Sequence, residues 1–154
     1  MITLAILYWL ASKVGGTVGV EWFYESLPID PMTGKVTGYG VYAITQQAPK
    51  EQAGPLHTFI TLYVIAGEGY KDKDGKPLPE KQATDMLADR IWQAVCDALD
   101  DPSSWQLTIP TTGEQFTQVR ITPDTGKDTQ PITSDGAVVK SLNIEVFYQK
   151  EDTQ

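Results

Sequence analysis

The sequence predicts an α+β domain: a mostly antiparallel sheet with two main helices packed on it, in the order helix, strands, helix, strands. Three observations carry this. Apolar residues recur at helical spacing in Ile2–Val14 and again after Pro79. The run Leu56–Ala66 has the aliphatic and aromatic character of a buried strand, and the last third of the chain alternates β-prone runs with turn signals.

Ile2, Ala5, Ile6, Trp9, Leu10 and Val14 trace the first helix, and Gly15-Gly16 supplies its left-handed stop. Leu4, Leu7 and Tyr8 widen the apolar face beyond one stripe, so the helix is either covered on two sides or packed on a neighbouring subunit. No basic residue precedes the apolar run, Lys13 follows it, and a bilayer span needs about 20 apolar residues. A buried helix is expected here rather than a signal peptide or a span, with the protein in the cytoplasm where it is made.

Val18–Glu25 reads as a strand, followed by turn residues at Pro28, Asp30-Pro31 and Thr33-Gly34. Tyr39–Gln46 reads as a second strand that pairs back on the first as a hairpin. Gln47–Pro55 has no apolar period, whereas Leu56–Ala66 is largely apolar on both alternating faces, as suits a central strand. After the polar loop Gly67–Leu78, Pro79 opens the second helix. There Ala83, Leu87, Ile91, Val95 and Leu99 recur every four residues, with Ala88, Trp92 and Ala98 beside them and Lys81, Asp85, Asp89 and Asp97 opposite. Asp101-Pro102-Ser103-Ser104 breaks it. Strands follow at Trp105–Ile109, Phe116–Thr122 and Val138–Gln149, with turns around Thr112-Gly113, Asp124–Gly126 and Ser134-Asp135-Gly136. Residues 1–149 form one domain and 150–154 a polar tail, and the sheet edges at both sides need a cover or a partner.

The totals agree with a single globular domain. A chain of 154 residues buries roughly 68–70% of its unfolded surface, and 41% apolar with 21% charged residues is ordinary globular composition. With 20 acids against 12 bases the net charge is −8, which disfavours specific nucleic-acid binding but suits a surface past which DNA slides. Cys96 stands alone, so no intramolecular disulfide forms, as in a reducing compartment.

Motifs with chemistry are few. A thiol–imidazole pair would need His57 and Cys96 side by side; Cys96 instead follows Val95 on the amphipathic helix, where it is expected to pack as a small hydrophobe, and His57 is expected to be a surface or satisfied histidine. Lys71-Asp72-Lys73-Asp74-Gly75 approximates a calcium loop, but setting Gly75 sixth puts Tyr70 first and Lys81 twelfth, where acidic donors belong. Gly34-Lys35 and Gly126-Lys127 lack the earlier glycine and following hydroxyl of a phosphate loop: Ile29 and Ile121 stand at the first place, Val36 and Asp128 at the last. Trp22-Phe23-Tyr24 fits core or subunit contact better than ligand stacking. No enzyme, catalytic residue, cofactor or metal site is expected.

Two stretches carry a resemblance. One is Leu56–Ala66 followed by the helix Pro79–Leu99; the other is Pro131-Ile132-Thr133-Ser134-Asp135-Gly136 leading into Lys140-Ser141-Leu142-Asn143-Ile144-Glu145-Val146-Phe147-Tyr148. Together they resemble the tail terminator and minor capsid proteins of long-tailed bacteriophages, and Pro131–Tyr148 is similar to the family's closing aspartate-glycine turn and final asparagine-containing strand. The likeness covers roughly the last two-thirds of the chain, and the first helix is more apolar than the family's usual one. The resemblance implies a virion subunit, assembled in the bacterial host cytoplasm, that forms a homo-oligomeric ring, hexameric in the family, on the tail tube. Its implied partners are itself, the tail tube protein and head or neck proteins, with DNA passing through the ring and no membrane. A neck adaptor, a head-completion protein and a tube subunit are sibling readings. A small cytoplasmic enzyme or ligand-binding domain is a further alternative, which requires a deep pocket with convergent polar groups and perturbed acids.

Overall fold

The computed structural model describes residues 1–24, 32, 40–46, 56–65, 74–76, 80–131 and 138–150. It is an α+β fold in the expected order: α1 (Ile2–Val14), β1 (Trp22–Tyr24), β2 (Gly40–Gln46), β3 (Leu56–Ile65), α2 (Glu80–Asp97), β4 (Leu107–Thr108), β5 (Gln115–Pro131) and β6 (Val138–Lys150). Two short 3-10 turns, Ala98–Asp100 and Pro102–Ser104, lie between α2 and β4. The strands form one sheet in the order β1-β2-β3-β6-β5-β4. No helix among the described residues is long and apolar enough to cross a membrane.

α1 stops where expected. Gly15 takes φ 111°, open to a residue without Cβ, and its N–H donates to the Ala11 carbonyl at 2.8 Å. Of the two coverings open to this broad apolar helix, the fold uses the first. Ile2, Ala5, Ile6, Leu7, Trp9, Leu10 and Ala11 are all buried within one chain, against α2, the β1–β2 side of the sheet and β4. The surplus apolar surface of α1 therefore needs no neighbouring copy.

β1 departs from the expected strand Val18–Glu25. Thr17 O accepts from the N–H groups of Val20, Glu21 and Trp22, so a tight turn uses up Val18–Glu21 and leaves three residues of strand. Trp22 is fixed beneath the end of α1 by its indole N–H, which donates to Gly15 O at 2.8 Å. This anchor sets the strand direction, and β1 pairs parallel to β2, Trp22 opposite Val41 and Tyr24 opposite Ala43, rather than as a hairpin. A parallel neighbour needs a crossover of roughly a dozen residues or more, which segment 25–39 is long enough to supply. The expected turns at Pro28–Gly34 lie mostly outside the described residues, as do Gln47–Pro55, Ser134-Asp135-Gly136, Gly34-Lys35 and most of Gly67–Leu78.

β3 pairs antiparallel with β2 on one side and β6 on the other, so it is central as expected. β5 is longer than expected. Where Asp124–Gly126 was expected to turn, the strand continues to Pro131, paired with β6 through register shifts at Thr117/Arg120, Pro123/Thr125 and Thr125/Asp128. Pro123 lacks a donor and Gly126 lacks a side chain, and a ladder absorbs such residues as bulges where one side of the strand has no neighbour. Gly126-Lys127 thus lies in a strand, not in a phosphate loop. Trp105 and Gln106 lie in the turn before β4 rather than in a strand, and Lys150 closes β6 rather than opening a tail.

The core lies between the sheet and the helices. Ile60, Leu62 and Val64 of β3, Leu142, Ile144 and Val146 of β6, and Ile121 of β5 meet Ala83, Leu87, Ala88, Ile91 and Val95 of α2 and the buried face of α1. Each such large aliphatic side chain contributes about 1.5–3 kcal/mol by leaving water. Leu99 breaks the expected four-residue recurrence and is 42% exposed. The chain tightens to a 3-10 turn at Ala98, so the next buried position after Val95 falls three residues on, at Ala98. Cys96 is likewise exposed rather than packed, on the outer side of α2 beside Gln93 and Asp97.

Candidate functional surface: the open sheet face and its β5 edge

Because strand side chains alternate between faces, the residues that interleave with the core positions form a second face, turned away from the helices. β3 contributes His57, Phe59, Thr61 and Tyr63; β6 contributes Asn143, Glu145 and Phe147; β5 contributes Arg120 and Thr122. The register puts His57 opposite Phe147 and Thr61 opposite Asn143, with Arg120 and Thr122 on the far side of β6 against Phe147 and Glu145.

His57 is a satisfied histidine, as expected. Its Nε2 lies 3.0 Å from Glu145 Oε1, its ring stacks on Phe147 at 4.2 Å and 2°, and Phe59 meets it edge-on at 4.7 Å. Thr61 Oγ1 donates to Asn143 Oδ1 at 2.8 Å, giving the asparagine of the last strand a cross-strand partner. Nothing brings His57 to Cys96, which sits exposed on α2. Of the aromatic row, Trp22 is buried while Phe23 and Tyr24 are half-buried, so the three do not form one stacking surface.

Beside this face lies an open cleft of about 870 Å³ lined by Leu99, Trp105, Gln106, Gln118, Val119, Arg120 and Phe147. β4 ends there. It covers β5 only at Gln115 and Phe116, and Val119 N–H donates to Trp105 O at 3.0 Å. From Arg120 to Pro131 no strand lies on that side of β5 among the described residues. Among the described residues the sheet therefore carries a long unpaired edge at one end and the three-residue β1 at the other.

A polar chain fixes the corner where α1 meets the turn after α2. Trp9 Nε1 donates to Ser103 Oγ at 3.0 Å, Ser103 Oγ and N–H donate to Asp101 Oδ1 at 2.7 and 3.0 Å, and Lys13 Nζ lies 2.7 Å from Asp101 Oδ2. Lys13, and then the two Ser103 donors, hold the Asp101 carboxyl at about 2, below its ordinary 3.8. A carboxyl whose folded pKa is depressed stabilises the fold fully above the unfolded value, and that stabilisation fades as pH falls through the folded one. Asp101→Asn is thus expected to melt at a lower temperature than the parent at pH 6. The gap should narrow below pH 3.8 and close near pH 2, as followed by circular dichroism melts across that range.

Glu114 is also lowered, by the Met1 ammonium first, and neither carboxyl lines the cleft. No group of three or more His, Cys, Asp or Glu among the described residues is placed to hold a metal ion. Trp105, Gln118 and Arg120 had no motif to mark them; Glu145 and Phe147 stand in the last strand, where the period-two alternation of Asn143, Glu145 and Phe147 against Leu142, Ile144 and Val146 marks the outer face. A scan against protein-family models matches no family, and comparison with curated proteins finds no match.

Proposed function

We propose that the chain is a structural assembly subunit, a tail terminator of the long-tailed bacteriophage kind, that joins copies of itself into a ring on the tail tube and offers the ring to the head. One observation carries the assembly reading: β5 runs from Arg120 to Pro131 with no strand on its outer side among the described residues. An edge of that length is a template for strand addition unless something covers it. Pro123 and the register shifts blunt its middle, while Asp128–Pro131 continues in regular register with β6. An edge at each end of one sheet also suits a head-to-tail, rotationally closed assembly, in which one side of a subunit meets the other side of the next. The virion role and the tail-tube and head partners rest on the sequence resemblance, and the net charge of −8 suits a channel past which DNA moves.

The test is light scattering on the purified protein, followed by negative-stain microscopy of the protein alone and mixed with tail tubes. Closed rings that cap tubes and halt their growth are the expected result. Unbounded cylinders would assign a tube subunit instead. A monomer at millimolar concentration with no affinity for tubes would remove the reading altogether.

A further inference from the structure

The cleft at the end of β4 shares Arg120 with the start of the open β5 edge, but its aromatic walls have no role in the assembly reading. We propose that it is a binding site for a small molecule with a flat apolar body and a carboxylate, held by Arg120 between the walls formed by Trp105 and Phe147. Its volume of about 870 Å³ falls in the range of small-molecule sites, and its make-up is theirs too: Leu99, Trp105, Val119 and Phe147 are apolar, with few polar groups among them.

The walls are set before any ligand arrives. Trp105 Nε1 donates to Leu99 O at 3.3 Å, which holds the indole to the turn after α2, and the Trp105 backbone carbonyl accepts from Val119 N–H of β5. Phe147 is backed by the His57 ring stacked on it at 4.2 Å. The floor is built from an unusual backbone. Gln118, with φ 51°, is the one non-glycine residue of positive φ among the described residues, and it lies in the register shift that places Arg120 opposite Phe147. Such conformations persist where the surroundings enforce them and concentrate at ligand sites, as do bulges.

Arg120 decides the chemistry. Its side chain is exposed and makes no hydrogen bond or ion pair among the described residues, although the chain holds 20 acids against 12 bases. A guanidinium left without a carboxylate beside two aromatic rings is matched by a planar anion that brings its own apolar surface. A neutral arene would leave Arg120 unused, and a purely aliphatic diacid would leave the walls unused.

The probes are 2-naphthoate and its neutral counterpart 2-naphthamide, titrated into the full chain by calorimetry and by ligand-observed NMR. 2-Naphthoate is expected to bind saturably at one site per chain. Arg120→Gln should weaken it by about tenfold or more while leaving 2-naphthamide unchanged, because a charge-assisted hydrogen bond is lost. Trp105→Ala should weaken both probes, with circular dichroism showing that each variant keeps its fold. Absence of saturable naphthoate binding, or equal binding to the parent and Arg120→Gln, overturns the site. Ring formation is read separately, by light scattering and microscopy of the parent without ligand, so failure of the site and failure of the assembly reading are distinguishable.

Discussion

Trp22→Ala is expected to lower the free energy of unfolding by about 3–5 kcal/mol, the upper range for truncating one core side chain. Trp22 heads the fully buried large side chains at 2% exposure. Its indole N–H donates to Gly15 O, one of the carbonyls at the end of α1 that the helix itself leaves without a donor. The fit above the ring is close: a Cβ at Gly16, where φ is +98°, would meet Trp22 Nε1 at 2.8 Å. Removing the indole therefore leaves a cavity, loses the bond to Gly15 O and frees the turn that launches β1. Trp22→Phe separates these effects, since it keeps most of the apolar volume and loses the donor; about 1–3 kcal/mol is expected for it. Urea unfolding with an unchanged slope is the measurement, and a loss below about 1 kcal/mol for Trp22→Ala would mean that the strand is not anchored through this residue.

Elements whose signal is local were legible in the sequence. α1 follows from apolar spacing and the glycine at its end, α2 from apolar spacing, and β3 and β6 from length and alternation, while Pro79 lies outside the described residues. Pairing was less legible. The parallel β1–β2 register depends on where the Trp22 indole is held, by a carbonyl across a turn, and no pattern within Val18–Glu25 encodes that. The length of β5 was hidden because Pro123, Asp124 and Gly126 are turn residues by composition, while continuous pairing with β6 decides the outcome. The exposure of Leu99 follows from a change of helix type at Ala98, which a fixed period cannot anticipate. The same limit applies to the surface. His57 and Glu145 lie 88 residues apart and meet only through the β3–β6 register, and the cleft depends on a bulge at Gln118 that no residue type announces.

The first helix is where the sequence left a choice, and its consequence is large. Ile6, Leu7 and Leu10 are each 0% exposed within one chain, so α1 is part of the core rather than a surface awaiting another copy. Ile6→Asp is then expected to abolish cooperative folding, not merely to dissociate an assembly. Losing the buried aliphatic group costs about 2–5 kcal/mol, and an unpaired carboxylate at the same place costs several kcal/mol more. Together these approach the whole stability of about 5–15 kcal/mol typical of a domain. Val20→Asp is the control: Val20 is 63% exposed, its backbone makes the turn bond to Thr17 O, and a change within about 0.5 kcal/mol is expected. Far-UV circular dichroism and urea titration read both variants at low concentration, where a ring would already have dissociated. A well-folded Ile6→Asp monomer with a sharp urea transition would show that α1 is dispensable to the core and return it to the role of an interface helix; loss of the transition places α1 in the core.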